Sequence, residues 1–233
     1  MKILVIDDEK PTLAMFKFFL AAYGYEVYTA ENGEEGMDLF QDLNPDMVFT
    51  DIRMPGMDGL EVLRQIRAAR PQCQVIIITG HGDMDRALEA LDLAASDFIN
   101  KPVERQALNE ALVRAEKRAK RISPQEFCLE FARKKAGLTI GVKGRGAKHI
   151  GTKLAEATSG LNKGDIIEFD FHPEFSIDRQ GLYQFTDFLQ VTGEQGIKIR
   201  IKGLSYNYIR FFEMAGIHNL AELLPGKPQE PEF

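Results

Sequence analysis

The chain has 233 residues, 44% hydrophobic and 27% charged, with two cysteines and a formal net charge of −6. That length has room for two ordinary domains, and the composition is that of a soluble globular protein. The charge excludes the basic footprint of a nucleic-acid grip: residues 1–121 hold 21 acidic and 15 basic residues, and residues 122–233 hold 14 of each.

Apolar runs such as Val75-Ile76-Ile77-Ile78 are far too short to span a bilayer and read as buried strands. Acids end the first apolar run at Asp7, so no secretory signal is expected. Cys73 and Cys128 have neither a disulfide-like nor a metal-ligand spacing, and the natural compartment is a reducing cytoplasm.

Along the first half, strands are predicted at Ile3–Ile6, Glu26–Thr29, Met47–Thr50, Val75–Thr79 and Phe98–Ile99. Helices are predicted at Thr12–Ala22, Gly33–Leu43, Leu60–Ala69, Arg86–Ala94 and from Glu104 onward. This alternation predicts an α/β fold with a doubly wound, five-stranded parallel sheet. Ligands of such sheets gather at the carboxyl ends of the strands. There the sequence sets Asp7-Asp8-Glu9, Asp51, Thr79 and Lys101. Converging carboxylates repel one another unless a cation sits among them. Hard oxygen ligands suit Mg2+, and a lysine and a hydroxyl nearby suit phosphate oxygens.

"ILVIDDE", "DMVFTDIRMPGMDGLEVL", "IIITGHG" and "DFINKPV" resemble the receiver domain of two-component response regulators, over residues 1–121. The resemblance implies that Asp51 accepts a phosphoryl group from a phosphohistidine of a sensor histidine kinase. It implies that Asp8, Asp51 and the Arg53 carbonyl hold Mg2+, with Asp7 acting largely through water. Lys101 would pair with the acyl phosphate, and Thr79 and Phe98 would form the switch. Arg53 and His81 occupy positions that tune phosphate lifetime in the family. Such a protein is not an enzyme beyond Mg2+-dependent self-phosphorylation and self-dephosphorylation.

Residues 122–137 are predicted as a helical linker, with Ser123 as cap, Pro124 in the first turn, and Phe127, Leu129 and Phe131 near one face. Such an extension leaves a homodimer open. Beyond it, strands at Leu138–Val142, Ile166–Phe171 and Ile197–Ile201 alternate with helices at Ala147–Ser159, Gly181–Thr192 and Tyr206–Ala215. This predicts a second, smaller α/β domain over 138–224, and the Pro- and Glu-containing end, 225–233, is predicted disordered. Seven basic residues lie between Glu130 and Glu156 with no acid among them, and they read as a solvated face. "GVKGRGAKHIG" lacks the ending and spacing of a nucleotide-binding loop. It has the look of the short glycine loop of KH modules, but the elements that follow do not continue that match.

At "FSIDRQGLYQF" a strand end turns into a helix start, where an aspartate caps free N–H groups. Residues 138–224, with Asp178-Arg179-Gln180-Gly181-Leu182, Gly203-Leu204-Ser205, Arg210-Phe211-Phe212 and Ala215-Gly216-Ile217 in their second half, are similar to the STAS domain of anti-sigma-factor antagonists. In that family the residue after the aspartate is a serine phosphorylated by a partner kinase. Arg179 stands there in this chain and cannot accept phosphate. The resemblance implies a protein-docking corner at Asp178, Arg179 and Gln180, and as partner an anti-sigma factor, a switch kinase or a serine phosphatase. Rival expectations are an output that senses a small molecule or nucleotide and, with less support, one that binds nucleic acid.

Overall fold

A computed structural model describes residues 1–80, 83–120, 126–134, 137–145, 149–173 and 175–224. His81, the Ser123-Pro124 pair, residues 146–148 and the end 225–233, all singled out above, lie outside the described residues. The chain divides into two compact units, each built on its own five-stranded sheet.

The first unit runs β1 (Lys2–Ile6), α1 (Lys10–Ala22), β2 (Glu26–Ala30), α2 (Gly33–Leu43), β3 (Met47–Asp51), α3 (Gly59–Ala69), β4 (Gln74–Thr79), α4 (Met84–Asp92), β5 (Asp97–Asn100) and α5 (Arg105–Ala119). Every pairing is parallel and the strand order is β2-β1-β3-β4-β5. Strands β1, β3 and β4 are buried almost throughout, because helices cover both faces. Helices α2, α3 and α4 pack in series on one face. On the other, α5 meets the α1–β2 turn, where the Tyr25 hydroxyl reaches Glu116 at 2.7 Å and Arg105 Nε reaches the Tyr23 hydroxyl at 3.1 Å. Helix α5 is further tied to β5 through buried charge: Arg114 Nε donates to Asp97 Oδ2 at 2.6 Å, and Glu110 lies 3.4 Å from the same guanidinium. A buried charge is tolerated when it is paired in this way.

The second unit runs β6 (Cys128–Lys134), β7 (Gly137–Lys143), α6 (Ile150–Thr158), β8 (Ile166–Phe171), α7 (Arg179–Glu194), β9 (Lys198–Lys202), α8 (Tyr206–Met214), a 3-10 turn (Ile217–Asn219) and β10 (Glu222–Leu223). The strand order is β10-β9-β8-β7-β6, parallel except for the antiparallel β6–β7 pair. Burial alternates along β7, β8 and β9, so one face carries the core and the other is open. The core is aromatic. Phe169 lies 5.1 Å from Phe185, Phe171 lies 4.6 Å from Phe175, and Phe212 lies 5.9 Å from Phe171, all edge to face.

One expectation is overturned. Within 122–137, predicted as a helical linker, the described stretch Cys128–Lys134 is instead a strand and belongs to the second sheet. Leu129, Phe131 and Arg133 stand opposite Val142, Ile140 and Leu138, a spacing of two residues that suits a pleated strand. The backbone hydrogen bonds that an isolated short helix would supply are better satisfied along the β7 edge.

Candidate functional site

In the β2-β1-β3-β4-β5 order the chain reverses its direction of sheet growth between β1 and β3. Connections leave that point toward opposite faces, which opens a crevice at the strand ends. Asp7 follows β1 directly and Asp51 ends β3, so two carboxylates meet there. Oxygens of Asp7, Asp8 and Asp51 lie within 4.8 Å of one another. Asp7 and Asp51 are buried and Asp8 is exposed.

Lys101 reaches the same point from the loop after β5. Its ammonium lies 2.6 Å from Asp51 Oδ2, 3.2 Å from Asp7 Oδ2 and 3.4 Å from Glu9 Oε2. The Lys101–Pro102 peptide bond is cis. Burial works against the ammonium charge, but the hydrogen bond and charge of Asp51, joined by Asp7, outweigh it and hold Lys101 above its ordinary pKa. Burial pushes the Asp7 carboxyl up, against the pull of the Glu9 backbone N–H and Lys101, and the Asp51 charge adds to the rise. Three acids therefore share one cation, and the cluster keeps excess negative charge.

The local sequence dictates this geometry. An added Cβ at Gly59 would come 2.0 Å from the Asp51 carbonyl oxygen, so only glycine lets the α3 start close under the end of β3. Asp58 caps that helix, its Oδ1 accepting from Leu60 N at 3.1 Å and Glu61 N at 2.9 Å. Its other oxygen binds Arg86 on α4 at 2.8 Å.

Thr79 ends β4 and is fully buried, its hydroxyl 3.4 Å from the Gly80 carbonyl oxygen. Phe98 on β5 pairs in register with Ile77 and is buried. The Arg53 N–H donates to Asp51 Oδ1 at 3.3 Å. The Arg53 guanidinium turns away to Asp83, a contact that sequence reasoning missed. Asp83 also accepts from Gly80 N at 3.0 Å and so ties the β3–α3 loop to the β4–α4 loop. The only signal in the sequence is an acid just before α4, which reads as an ordinary cap.

In the second unit Asp178 is the cap of α7, with Oδ1 accepting from Gly181 N at 2.7 Å. Arg179 opens that helix and is half-buried, while Gln180 is exposed. These three are consecutive at the start of α7. Ser176 is buried.

Hard carboxylate oxygens fit a small divalent cation. Asp7 Oδ2 is buried and outside hydrogen-bond geometry, with the Lys101 ammonium 3.2 Å away, so it retains acceptor capacity.

Residues 3–113 match the family model of the response regulator receiver domain, and this part of the chain is such a domain. Receiver domains are phosphorylated by sensor histidine kinases and bind Mg2+ at an acidic pocket. Over 114 residues the chain is 38% identical to the regulatory protein AtoC of Escherichia coli K12, which is 49% of this chain and 25% of AtoC. The chain thus spans about a quarter of the length of that curated relative. A receiver domain structure from Clostridium thermocellum superposes with a TM-score of 0.50 at 43% identity, covering 51% of this chain and 96% of the other. The receiver domain of NtrX from Brucella abortus is 33% identical with a TM-score of 0.46, covering 51% and 98%. No helix among the described residues is long and apolar enough to cross a membrane.

Proposed function

We propose that Asp51 is the phosphoacceptor of a two-component phosphorelay and that its phosphorylation controls protein binding by the second unit. The observation that carries this reading is Lys101 Nζ, 2.6 Å from an Asp51 carboxylate that shares its crevice with Asp7 and Asp8. An Asp51 oxygen attacks phosphorus, an O–P bond forms, and the P–N bond of the kinase phosphohistidine breaks. Asp8, Asp51 and the Arg53 carbonyl would hold Mg2+, with Asp7 contributing to the same acidic crevice. The ion would supply neutralisation of phosphoryl charge. Lys101 releases Asp51 and pairs with the acyl phosphate, a positioning and electrostatic role that carries most phosphoryl-transfer catalysis. The Thr79 hydroxyl leaves the Gly80 carbonyl for a phosphate oxygen, and Phe98, buried on β5, is the second residue of the switch. The protein turns over no separate substrate, and works in the cytoplasm.

The output is read as STAS-like on the resemblance of its second half and on the capped corner at Asp178, Arg179 and Gln180. Arg179 replaces the serine that the family modifies, so the reversible phosphate sits on Asp51 instead. The partner is an anti-sigma factor, a switch kinase or a serine phosphatase, met at that corner. Intact mass of wild type and Asp51→Asn after incubation with a small phosphodonor and Mg2+ tests the first step. Wild type gains one phosphoryl group and the variant none, whereas equal gain by both removes the proposal.

A second reading has one observation behind it. A groove of about 600 Å3 on the second sheet's open face is lined by Glu130, Thr139, Lys143, Asp170 and His172. Thermal shifts with nucleotides, at equal receiver phosphorylation, would favour a ligand-sensing output over a purely protein-binding one.

A further inference from the structure

The geometry points to a second copy of this chain as the partner of β6, the two strands pairing antiparallel about Phe131. Among the described residues strand β6 has β7 as its one neighbour and ends the second sheet. Six of its seven residues are exposed and the seventh is half-buried, so neither face of the strand is covered. The ladder to β7 runs without a bulge from Cys128↔Lys143 to Lys134↔Gly137. The strand contains no proline or glycine, and so lacks two of the devices by which sheet edges refuse a new strand. At its centre Phe131 leaves 46% of its surface exposed, among the largest apolar exposures of the described residues.

The remaining device against edge pairing is charge, and here the charge is self-complementary. A two-fold axis at Phe131 sets Phe131 against its own copy and Leu129 against Arg133. On the other face it sets Cys128 against Lys134 and Glu130 against Ala132. Glu130 of each copy then lies one diagonal step from Lys134 of the other and one step from the other Glu130, so two attractive pairs are set against one repulsive one, all within reach of long side chains. Two such ion pairs form by symmetry. A parallel arrangement of the same strands would instead stack Glu130 on Glu130 and Lys134 on Lys134. In the single chain Glu130 already holds Lys143 at 2.8 Å, and Lys134 lies 3.7 Å from Glu168. Both ends remain open, with 62% of the Glu130 and 64% of the Lys134 side chain exposed. The result is one continuous sheet across both copies. Seven paired residues bury less than the roughly 1,200 Å2 of a standard interface, so the pairing is concentration-dependent.

The test uses the full chain with Cys128→Ser, which leaves the buried Cys73 as the remaining native thiol. In that background Phe131→Cys and Arg133→Cys are oxidised with diamide and resolved on non-reducing gels. Residues on the axis lie about 5 Å apart between Cα atoms, within disulfide reach. Copies of position 133 are four residues out of register, roughly 13 Å apart. Phe131→Cys should give at least about tenfold more cross-linked dimer than Arg133→Cys. In sedimentation equilibrium Glu130→Lys should weaken self-association about fivefold, and Glu130→Lys with Lys134→Glu should restore it. Equal cross-linking at both positions, or a wild-type chain that stays monomeric at every concentration, overturns the proposal. In the second outcome the edge serves another protein's strand or none.

Discussion

Two five-stranded α/β sheets stand in this chain, and they use charge in opposite ways. In the first, helices on both faces leave only the strand ends open, and the acids there are buried together around one lysine. In the second, helices on one face leave a whole sheet surface to water, and its charges pair across strands. Lys202 lies 2.9 Å from Glu168 and 3.5 Å from Asp170, and Arg200 lies 2.9 Å from Glu222. Exposed pairs of that kind contribute little and do no chemistry. Layering therefore decides where a charged side chain becomes a reagent: burial at a strand end concentrates it, and an open face dilutes it.

The comparison breaks most sharply at Gly59. Gly59→Val puts a side chain onto the Asp51 carbonyl and should destabilise the first unit by about 3 kcal/mol or more. Hydrogen exchange should show faster exchange of the β3 and α3 amides, with β8 and β9 amides unchanged. Lys101→Met removes the cation shared, among the described residues, by Asp7, Glu9 and Asp51. It should slow phosphorylation from a small donor on the order of 10²-fold without unfolding the unit, measured as the rate of mass gain.

A smaller effect sits at Asp58. Its carboxyl lies below the ordinary 3.8: burial raises it, but the Arg86 hydrogen bond and charge and the capped backbone N–H groups of Glu61 and Leu60 outweigh that. A depressed carboxyl stabilises the fold above its unfolded pKa, and that stability is lost as pH falls through the folded value. Asp58→Ala should cost about 1 kcal/mol at pH 7. The difference from wild type should shrink below about pH 4, read from denaturant melts at several pH values. The smallest effect belongs to the open sheet. Glu168→Gln removes the nearer of two partners of Lys202 and should change stability by no more than about 0.5 kcal/mol, which a urea melt at low salt would resolve.

Much of the first unit was legible because its signals are local. Continuous apolar runs such as Val75–Ile78 announce strands buried on both faces, and polar residues at their ends announce the crevice. The helix predicted from Leu60 begins at Gly59 in the structure, and Asp178 reads as a cap. The Arg53–Asp83 tie was not legible, since nothing in a one-dimensional sequence brings those loops together. Strand β6 was misread for a related reason. Phe127 and Phe131 are four apart, a spacing that fits one helix face and one strand face equally well. Only the presence of β7 alongside, a contact made outside the segment, decides between them. The Arg114–Asp97–Glu110 cluster also stayed hidden, because buried and exposed charges look alike in sequence.

The contrast between the two sheets is tested most directly by locating the phosphate. The full chain would be treated with a small phosphodonor and Mg2+, the acyl phosphate trapped by borohydride reduction, and the peptides mapped by mass spectrometry. Modification confined to Asp51, with residues 138–224 unmodified, is the predicted result. Phosphate carried by the second unit, or an acyl phosphate on another carboxylate with Asp51 untouched, would contradict it.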